Sequence, residues 1–484
     1  MVEPIGIITV VLGFYCLTRG YKATVQTFIV LTLLGSAAAL TFGGSSVPPA
    51  HLFLLFLTAA ALGKSELPAV VTGTFRFGRP AFWLACLVAY GAISAYFSPR
   101  LFAGMSYIIP LGASEYPSTG GTVPLGPVSS NVTQTIYLAA DLLCFVTITA
   151  VCATPSGFRA TLNGLVAYAV VNMLFAALDL ATSATGTADL LQFVRNAQYT
   201  FHDSDTVNGM KRIVGSWPEA SAFAGMTLGA FGFTASLWIC GRQVRWTGPL
   251  ALCSFALIIL STSSTGLIAA PICLLLLYLT AVLRCGVGPQ SQRSTAVVLL
   301  APPIVLALSL LVVLQENLFQ ALYDYVDLLV LSKSTSSSAV ERGSWNAAAL
   351  QNFVDTVGLG VGLGTARTSS FPLALLSNVG IPGAVMFLLF AMTAFRPGLS
   401  ARTFESDVRL AALNGCLALL IGSLVAGPTV DLGLLFFVLA GLCASRPVPR
   451  IGEIPVLPLR GAALEERAHA RRLVPRVIAS KRQT

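Results

Sequence analysis

The chain has 484 residues, of which 55% are hydrophobic and only 10% charged, with a mean hydropathy of +0.79. Soluble domains carry roughly 25% charged residues, so this composition excludes an ordinary soluble protein and implies one whose main solvent is lipid. The net charge of +9 does not point to nucleic acid, because +6 of it lies between Arg446 and Thr484.

Taken in chain order, thirteen apolar stretches are long enough to read as spans, at roughly 4–18, 24–42, 49–63, 80–98, 134–153, 161–184, 220–240, 248–262, 265–283, 296–314, 372–391, 409–425 and 428–444. About 20 residues are needed to cross a hydrocarbon core of about 30 Å, and the first, third and eighth stretches are short by that measure. The expected fold class is all-α: a polytopic transmembrane helical bundle of 12–13 spans over residues 1–444, followed by a basic cytoplasmic tail at 445–484.

Every second connection is basic. Arg19 and Lys22 follow the first span, Lys64, Arg76 and Arg79 the third, Arg159 the fifth, Arg242 and Arg245 the seventh, Arg284 and Arg293 the ninth, and Arg396 and Arg402 the eleventh. Basic loops stay in the cytoplasm, which places the N-terminus outside and the C-terminus inside. The opposite connections are then external, and three are long: 99–133, 185–219 and 315–371. The first is rich in Gly, Ser, Pro and Thr and reads as a cover or a flexible segment. In the third, Leu318, Leu322, Val326 and Leu329 recur nearly every four residues, as on a helix lying at a membrane surface. The N-terminus lacks the basic region of a cleaved signal peptide. The ten cysteines fall in spans, at their ends or beside a short basic loop, and none forms a C-x-x-C pair, so neither a disulfide framework nor a zinc site is expected. No internal repeat is visible.

Two external stretches carry polar chemistry. One runs Lys211-Arg212-Ile213-Val214-Gly215-Ser216-Trp217-Pro218-Glu219 into the seventh span. Arginine offers a fixed fork of donors suited to phosphate oxygens, and Glu219 could take a proton from an attacking hydroxyl; the alternative is an Arg–Glu pair capping a span. The other holds Glu341-Arg342-Gly343 and then Leu359-Gly360-Val361-Gly362-Leu363-Gly364-Thr365-Ala366-Arg367-Thr368-Ser369-Ser370. Backbone amides there, with Arg367, Thr368 and Ser369, could meet an anion, or the glycines could simply serve a loop between an interfacial helix and a span. Asp141, Asp179 and Asp431 lie within spans, where an acid is a functional hypothesis by default. Asp179 and Asp431 are near span ends, where snorkelling or pairing with an external arginine would account for them; Asp141 is deepest and has no evident partner. His202, Asp203 and Asp205 form a small acidic cluster that reads as a solvated turn rather than a metal site. His51 and His469 carry no signal, and the sequon Asn131-Val132-Thr133 reads as chance.

Three features resemble the O-antigen polymerase and ligase superfamily of bacterial membrane glycosyltransferases, and especially the polymerase-like proteins of exopolysaccharide clusters. They are R-x-x-G-S-W-x-E-A-S-x-F-A from Arg212 to Ala224, the polar turn Ser261-Thr262-Ser263-Ser264-Thr265-Gly266, and the loop bearing Arg342 that ends in G-V-G-L-G-T-A-R-T-S-S before N-V-G-I-P-G at Asn378–Gly383. The resemblance implies a GT-C-like helical fold with large external loops in the bacterial cytoplasmic membrane. It implies a glycan on undecaprenyl diphosphate as donor, a glycan hydroxyl as acceptor, and no metal or cofactor. Arg212 and Arg342 would grip the diphosphate, with Arg367 a third, and Lys211, Thr368 and Ser369 would line the substrate. Membrane lipid, and a flippase or chain-length regulator of the same pathway, are the implied partners; nucleic acid is not. Ligases of the superfamily place a histidine where this chain has Ser369, so the role of base moves to Glu219 and a polymerase is favoured over a ligase. A solute or polysaccharide transporter dependent on Asp141, or a scaffold subunit of an export complex, are the readings from other classes.

Overall fold

A computed structural model describes residues 1–42, 45–63, 67–117, 121–197, 206–207, 209–332, 337–396 and 402–446. Lys64, the His202–Asp203–Asp205 cluster, His469 and the tail beyond Arg446 lie outside the described residues.

The chain begins with α1 (Pro4–Arg19) and α2 (Tyr21–Leu31), then a two-stranded ribbon pairing Leu40–Phe42 with Ser45–Val47. Helix α3 (Pro49–Leu62), the short α4 (Leu67–Thr74) and α5 (Pro80–Leu101) follow. A second ribbon, Tyr107–Ile108 with Val123–Pro124, precedes α6 (Ser130–Val151) and α7 (Pro155–Ala184). A 3-10 turn at Ala188–Val194 and a third ribbon, Thr206–Val207 with Met210–Lys211, lead into α8 (Ala220–Ile239), α9 (Val244–Leu260), α10 (Ser264–Arg284) and α11 (Gln292–Leu314). The chain continues through α12 (Glu316–Val326), which runs on as a π turn to Leu331, and α13 (Ser337–Asp355). It closes with α14 (Phe371–Ala394), α15 (Phe404–Val425) and α16 (Leu434–Ala444).

Among the described residues eight helices have the length and apolarity to cross a bilayer: α5, α6, α7, α8, α10, α11, α14 and α15. Helices α1, α3, α9 and α16 are apolar but shorter. The fold is therefore an all-α polytopic bundle. Its core is apolar and largely shared by α2, α3, α5–α8 and α14–α16. Helix α16 is buried from Leu434 to Cys443, as a helix that is hydrophobic all round should be. Helix α11 is the opposite extreme: its apolar side chains face outward, as on a span surrounded by lipid.

Two expected spans are shortened, for identifiable reasons. The second, expected to reach residue 42, leaves the helix at Leu31 because the chain must pass the Trp217 ring. Gly35 touches that ring where any Cβ would collide. The backbone beyond finds its partners elsewhere: Ser36 N donates to Ser216 O (3.3 Å), Ala38 N to Asn196 Oδ1 (2.9 Å) and Ala39 N to Val47 O (2.8 Å). The last span, expected over 428–444, is helical only from Leu434; residues 426–433 run non-helically against the segment at 368–370. Gly427 N donates to Ser369 O (3.1 Å) and Thr368 Oγ1 to Pro428 O (3.2 Å). Non-helical backbone among apolar spans is tolerated only when other protein groups satisfy it.

The loop at 99–133 is a cover rather than a flexible segment over its described residues. Ile108, Val123, Leu125 and Val128 pack with Val361 and Ala366, and Asn352 Nδ2 donates to Tyr107 O (2.7 Å). The surface helix foreseen from Leu318, Leu322, Val326 and Leu329 forms as α12 and its π turn. Leu329 is buried against the bundle, and the Tyr325 phenol donates to Ile259 O at 3.0 Å. Burial at that contact raises the Tyr325 phenol above its ordinary pKa.

Candidate functional site

The stretch before α8 is held by a buried bracket. Asp179, near the end of α7, receives Arg195 Nη2 at 2.8 Å and has the Lys211 ammonium 3.6 Å away. Its second oxygen accepts Val214 N (2.8 Å) and Gly215 N (3.1 Å), while Arg195 Nε donates to Gly215 O (3.1 Å). A buried carboxylate is compensated when charged and backbone donors fill both of its oxygens. Of the two explanations for Asp179, pairing with an arginine is the one observed. Lys211 joins this bracket. Arg212 and Glu219 are carried on the strip that the bracket fixes, both half-buried.

Glu219 directly precedes the first turn of α8. Its Oε1 accepts from Ser221 Oγ, and its Oε2 lies 3.6 Å from Arg342 Nη2. Arg342 is on α13, more than a hundred residues away in sequence. The same helix presents Trp345 and Asn346 one turn further on, at the spacing that puts side chains on one face. The Arg367 guanidinium stands 5.0 Å from the centre of the Trp345 ring, within cation–π range. Asn346 Oδ1 accepts from Ser369 N at 2.9 Å. Thus α13 holds Glu219 through Arg342, Arg367 through Trp345 and Ser369 through Asn346.

Several amides of the glycine-rich stretch already have partners within the fold: Gly360 N to Thr356 Oγ1 (3.0 Å), Val361 N to Ser377 O (2.8 Å), Gly362 N to Asn378 O (3.0 Å), Ala366 N to Asn378 Oδ1 (3.1 Å) and Arg367 N to Ile109 O (2.8 Å). Gly358, Gly360, Gly362 and Gly364 all have positive φ, a conformation that favours glycine. A Cβ on Gly362 would stand 2.7 Å from Ser94 O, and one on Gly364 2.5 Å from Ser130 O. The ribbon is a packing device that wedges Arg367 between α13, α14 and the first loop. The second motif, at Asn378–Gly383, is its receptor: Asn378 binds Ala366 through both amide atoms, and Gly380 (φ 62°) breaks α14 where Ile381 N donates to Gly358 O at 2.8 Å.

Thr368 and Ser369 are buried, and the Thr368 hydroxyl is turned to Pro428 O, so they form the wall beneath Arg367. An apolar groove of about 560 Å³ opens between α10, α14 and α15, lined among others by Leu275, Leu279, Phe371, Leu375, Leu420 and Leu424. The turn at 261–266 packs behind α8: a Cβ on Gly266 would meet Ala224 at 3.2 Å. Thr262 and Ser263 hold buried hydroxyls there. Among the described residues no group of three or more His, Cys, Asp or Glu is placed to hold a metal ion.

Sequence reasoning missed Arg195, Trp345 and Asn346. Arg195 had one legible signal, as the basic residue following a short stretch that carries apolar Leu191 and Val194 inward. Trp345 and Asn346 sit at i+3 and i+4 from Arg342, a spacing that a helical reading of 337–355 would have exposed. The chain matches no protein-family model and no curated protein.

Proposed function

We propose that this protein is a metal-independent membrane glycosyltransferase that polymerises or transfers glycan repeats carried on undecaprenyl diphosphate during surface polysaccharide assembly. The observation that carries the reading is that α13 holds Glu219 through Arg342 and Arg367 through Trp345, while an apolar groove opens between α10, α14 and α15. A lipid diphosphate needs both halves: cations for its headgroup and an apolar channel for its chain.

In this account the bundle is GT-C-like with 12–13 crossings in the bacterial cytoplasmic membrane, N-terminus outside and C-terminus cytoplasmic, and α13 on the outer face. The acceptor hydroxyl gives its proton to Glu219 as its oxygen bonds to the anomeric carbon. The bond from that carbon to the diphosphate oxygen breaks, and the undecaprenyl diphosphate leaves with the electron pair. Negative charge grows on the leaving group, and positioned guanidinium groups stabilise it as it develops. Arg342 then exchanges its contact with Glu219 for the diphosphate, with Arg212 and Arg367 beside it. Partners follow from the chemistry: the lipid-linked glycan, membrane lipid, and a flippase or chain-length regulator supplying or measuring the chain. Transfer to another acceptor, as in an O-antigen ligase, uses the same steps.

The test is reconstitution of the full-length protein in liposomes with a lipid-diphosphate-linked repeat. Longer glycans and free lipid diphosphate are expected, and both should vanish in Arg212→Ala while the protein stays folded. Undiminished products from Arg212→Ala would refute the assignment of that residue. A transporter reading is favoured by a separate observation, the non-helical stretch at 426–433 with an acid in it. Solute uptake that fails in Asp141→Asn and persists in Arg212→Ala would establish that reading instead.

A further inference from the structure

Away from Glu219, titratable side chains from three distant parts of the chain lie in one region of the bundle. Asp141 stands in the middle of α6, Asp431 in the non-helical stretch before α16, and His51 near the start of α3. The α6–α16 register sets the pairing: Cys144 Sγ, one turn past Asp141, lies 3.7 Å from Leu434 O, three residues past Asp431. Asp431 interacts directly with Asp141, and its charge is also felt at His51 and Tyr137. The His51 and Tyr137 rings are 4.9 Å apart, and the Tyr137 phenol donates away from the cluster to Ser46 O.

Asp141 is wholly buried, and neither of its oxygens meets a hydrogen-bond donor. Both His51 ring nitrogens are likewise buried without a partner. Asp431 Oδ1 accepts Gly433 N at 2.6 Å, which anchors one side of that carboxyl. Cys144 also senses Asp141, and no lysine or arginine among the described residues acts on Asp141, Cys144 or His51. Two ionised carboxylates are acceptors only, and like charges packed together in an apolar interior cannot both persist. One added positive charge resolves the conflict. A metal ion is disfavoured because no three His, Cys, Asp or Glu among the described residues are placed to hold one.

We propose that Asp141 and Asp431 share a single proton, forming a proton-binding site inside the bundle that the His51 imidazole closes on the α3 side. The proton turns one carboxyl into a donor to the other and ties the 426–433 stretch to α6. That stretch also carries Gly427 and Pro428, the contacts of Ser369 and Thr368. The site therefore anchors the wall beneath Arg367 from behind. The inference does not rest on the glycosyltransferase reading.

Infrared spectroscopy of the full-length protein in nanodiscs, in light and heavy water at neutral pH, reads the proton directly. The wild type should show a protonated-carboxyl band that moves on deuteration and is lost in Asp141→Asn. In Asp431→Asn the band should persist at a shifted frequency, because Asp141 keeps its proton and loses its hydrogen-bonded partner. Folding of each variant is followed by thermal unfolding. A folded wild type without the band, or a band that survives Asp141→Asn, overturns the proposal. A band unmoved by Asp431→Asn overturns the sharing. A missing band together with a melting temperature that rises with sodium chloride, but not with choline chloride, shows a metal-cation site and overturns the proton.

Discussion

Two acid–arginine pairs flank the strip from Arg212 to Glu219, and they differ in every physical respect that matters. Asp179–Arg195 is 2.8 Å long with side chains 2% and 4% exposed, and its remaining lone pairs are filled by Val214 N and Gly215 N. Glu219–Arg342 is 3.6 Å long with side chains 35% and 29% exposed, and Ser221 is the hydrogen-bond partner of the acid. A buried, saturated pair has nothing left to offer a ligand, and removing either partner strands a charge. An open, loose pair contributes little to stability, so its groups are available to exchange partners. In the proposed mechanism the first pair builds the site and the second does its chemistry.

The largest effect that would break this comparison is on stability. Asp179→Ala should destabilise the protein by about 3–5 kcal/mol through the stranded Arg195 charge, seen as a fall in melting temperature or loss of folded protein from the membrane. An unchanged melting curve would mean that the bracket is not structural. Next comes Glu219→Gln, which keeps the hydrogen bond from Ser221 and removes the base. Glycan extension in liposomes should fall by roughly 10²–10⁴-fold with the melting temperature unchanged; full activity would leave the acceptor proton without its assigned destination.

Smaller effects sharpen the account of the glycine ribbon. Gly364→Ala places a Cβ against Ser130 O in a left-handed backbone and should cost about 1–3 kcal/mol. Thermal unfolding measures it, and a neutral result would show that the ribbon is looser than its hydrogen bonds indicate. Trp345→Leu removes the ring beneath Arg367, a contact of about 0.5–1 kcal/mol. Its expected signature is weaker binding of the lipid diphosphate, by a few-fold, at an unaltered melting temperature.

Much of the scaffold is written in local sequence. Apolar runs of about twenty residues gave α5–α8, α10, α11, α14 and α15, and the four-residue recurrence of Leu318, Leu322 and Val326 gave α12. Such patterns are visible because neighbours in sequence carry them. What was not legible depends on contacts between distant segments. Nothing near Leu31 says that Trp217 will block the helix, and nothing near Leu434 says that residues 426–433 will find partners at 368–370. The candidate site divides the same way. Arg212, Glu219, Arg342, Arg367 and Ser369 stand out by residue type and motif, and the structure brings four of them together around α13. The roles of the glycine amides and of Thr368 could not be foreseen, because Ser377, Asn378, Ile109 and Pro428 claim those groups from across the fold. The neighbourhood of Asp141 was illegible for the same reason: Asp431, which acts on it, lies nearly three hundred residues along the chain.

The central claim, that the open pair is the working one, is tested most directly by purified Arg342→Ala in the liposome polymerisation assay, with its unfolding followed in parallel. The account predicts a melting temperature near that of the wild type and no extension of the lipid-linked glycan. Extension at the wild-type rate by a folded Arg342→Ala protein would contradict it.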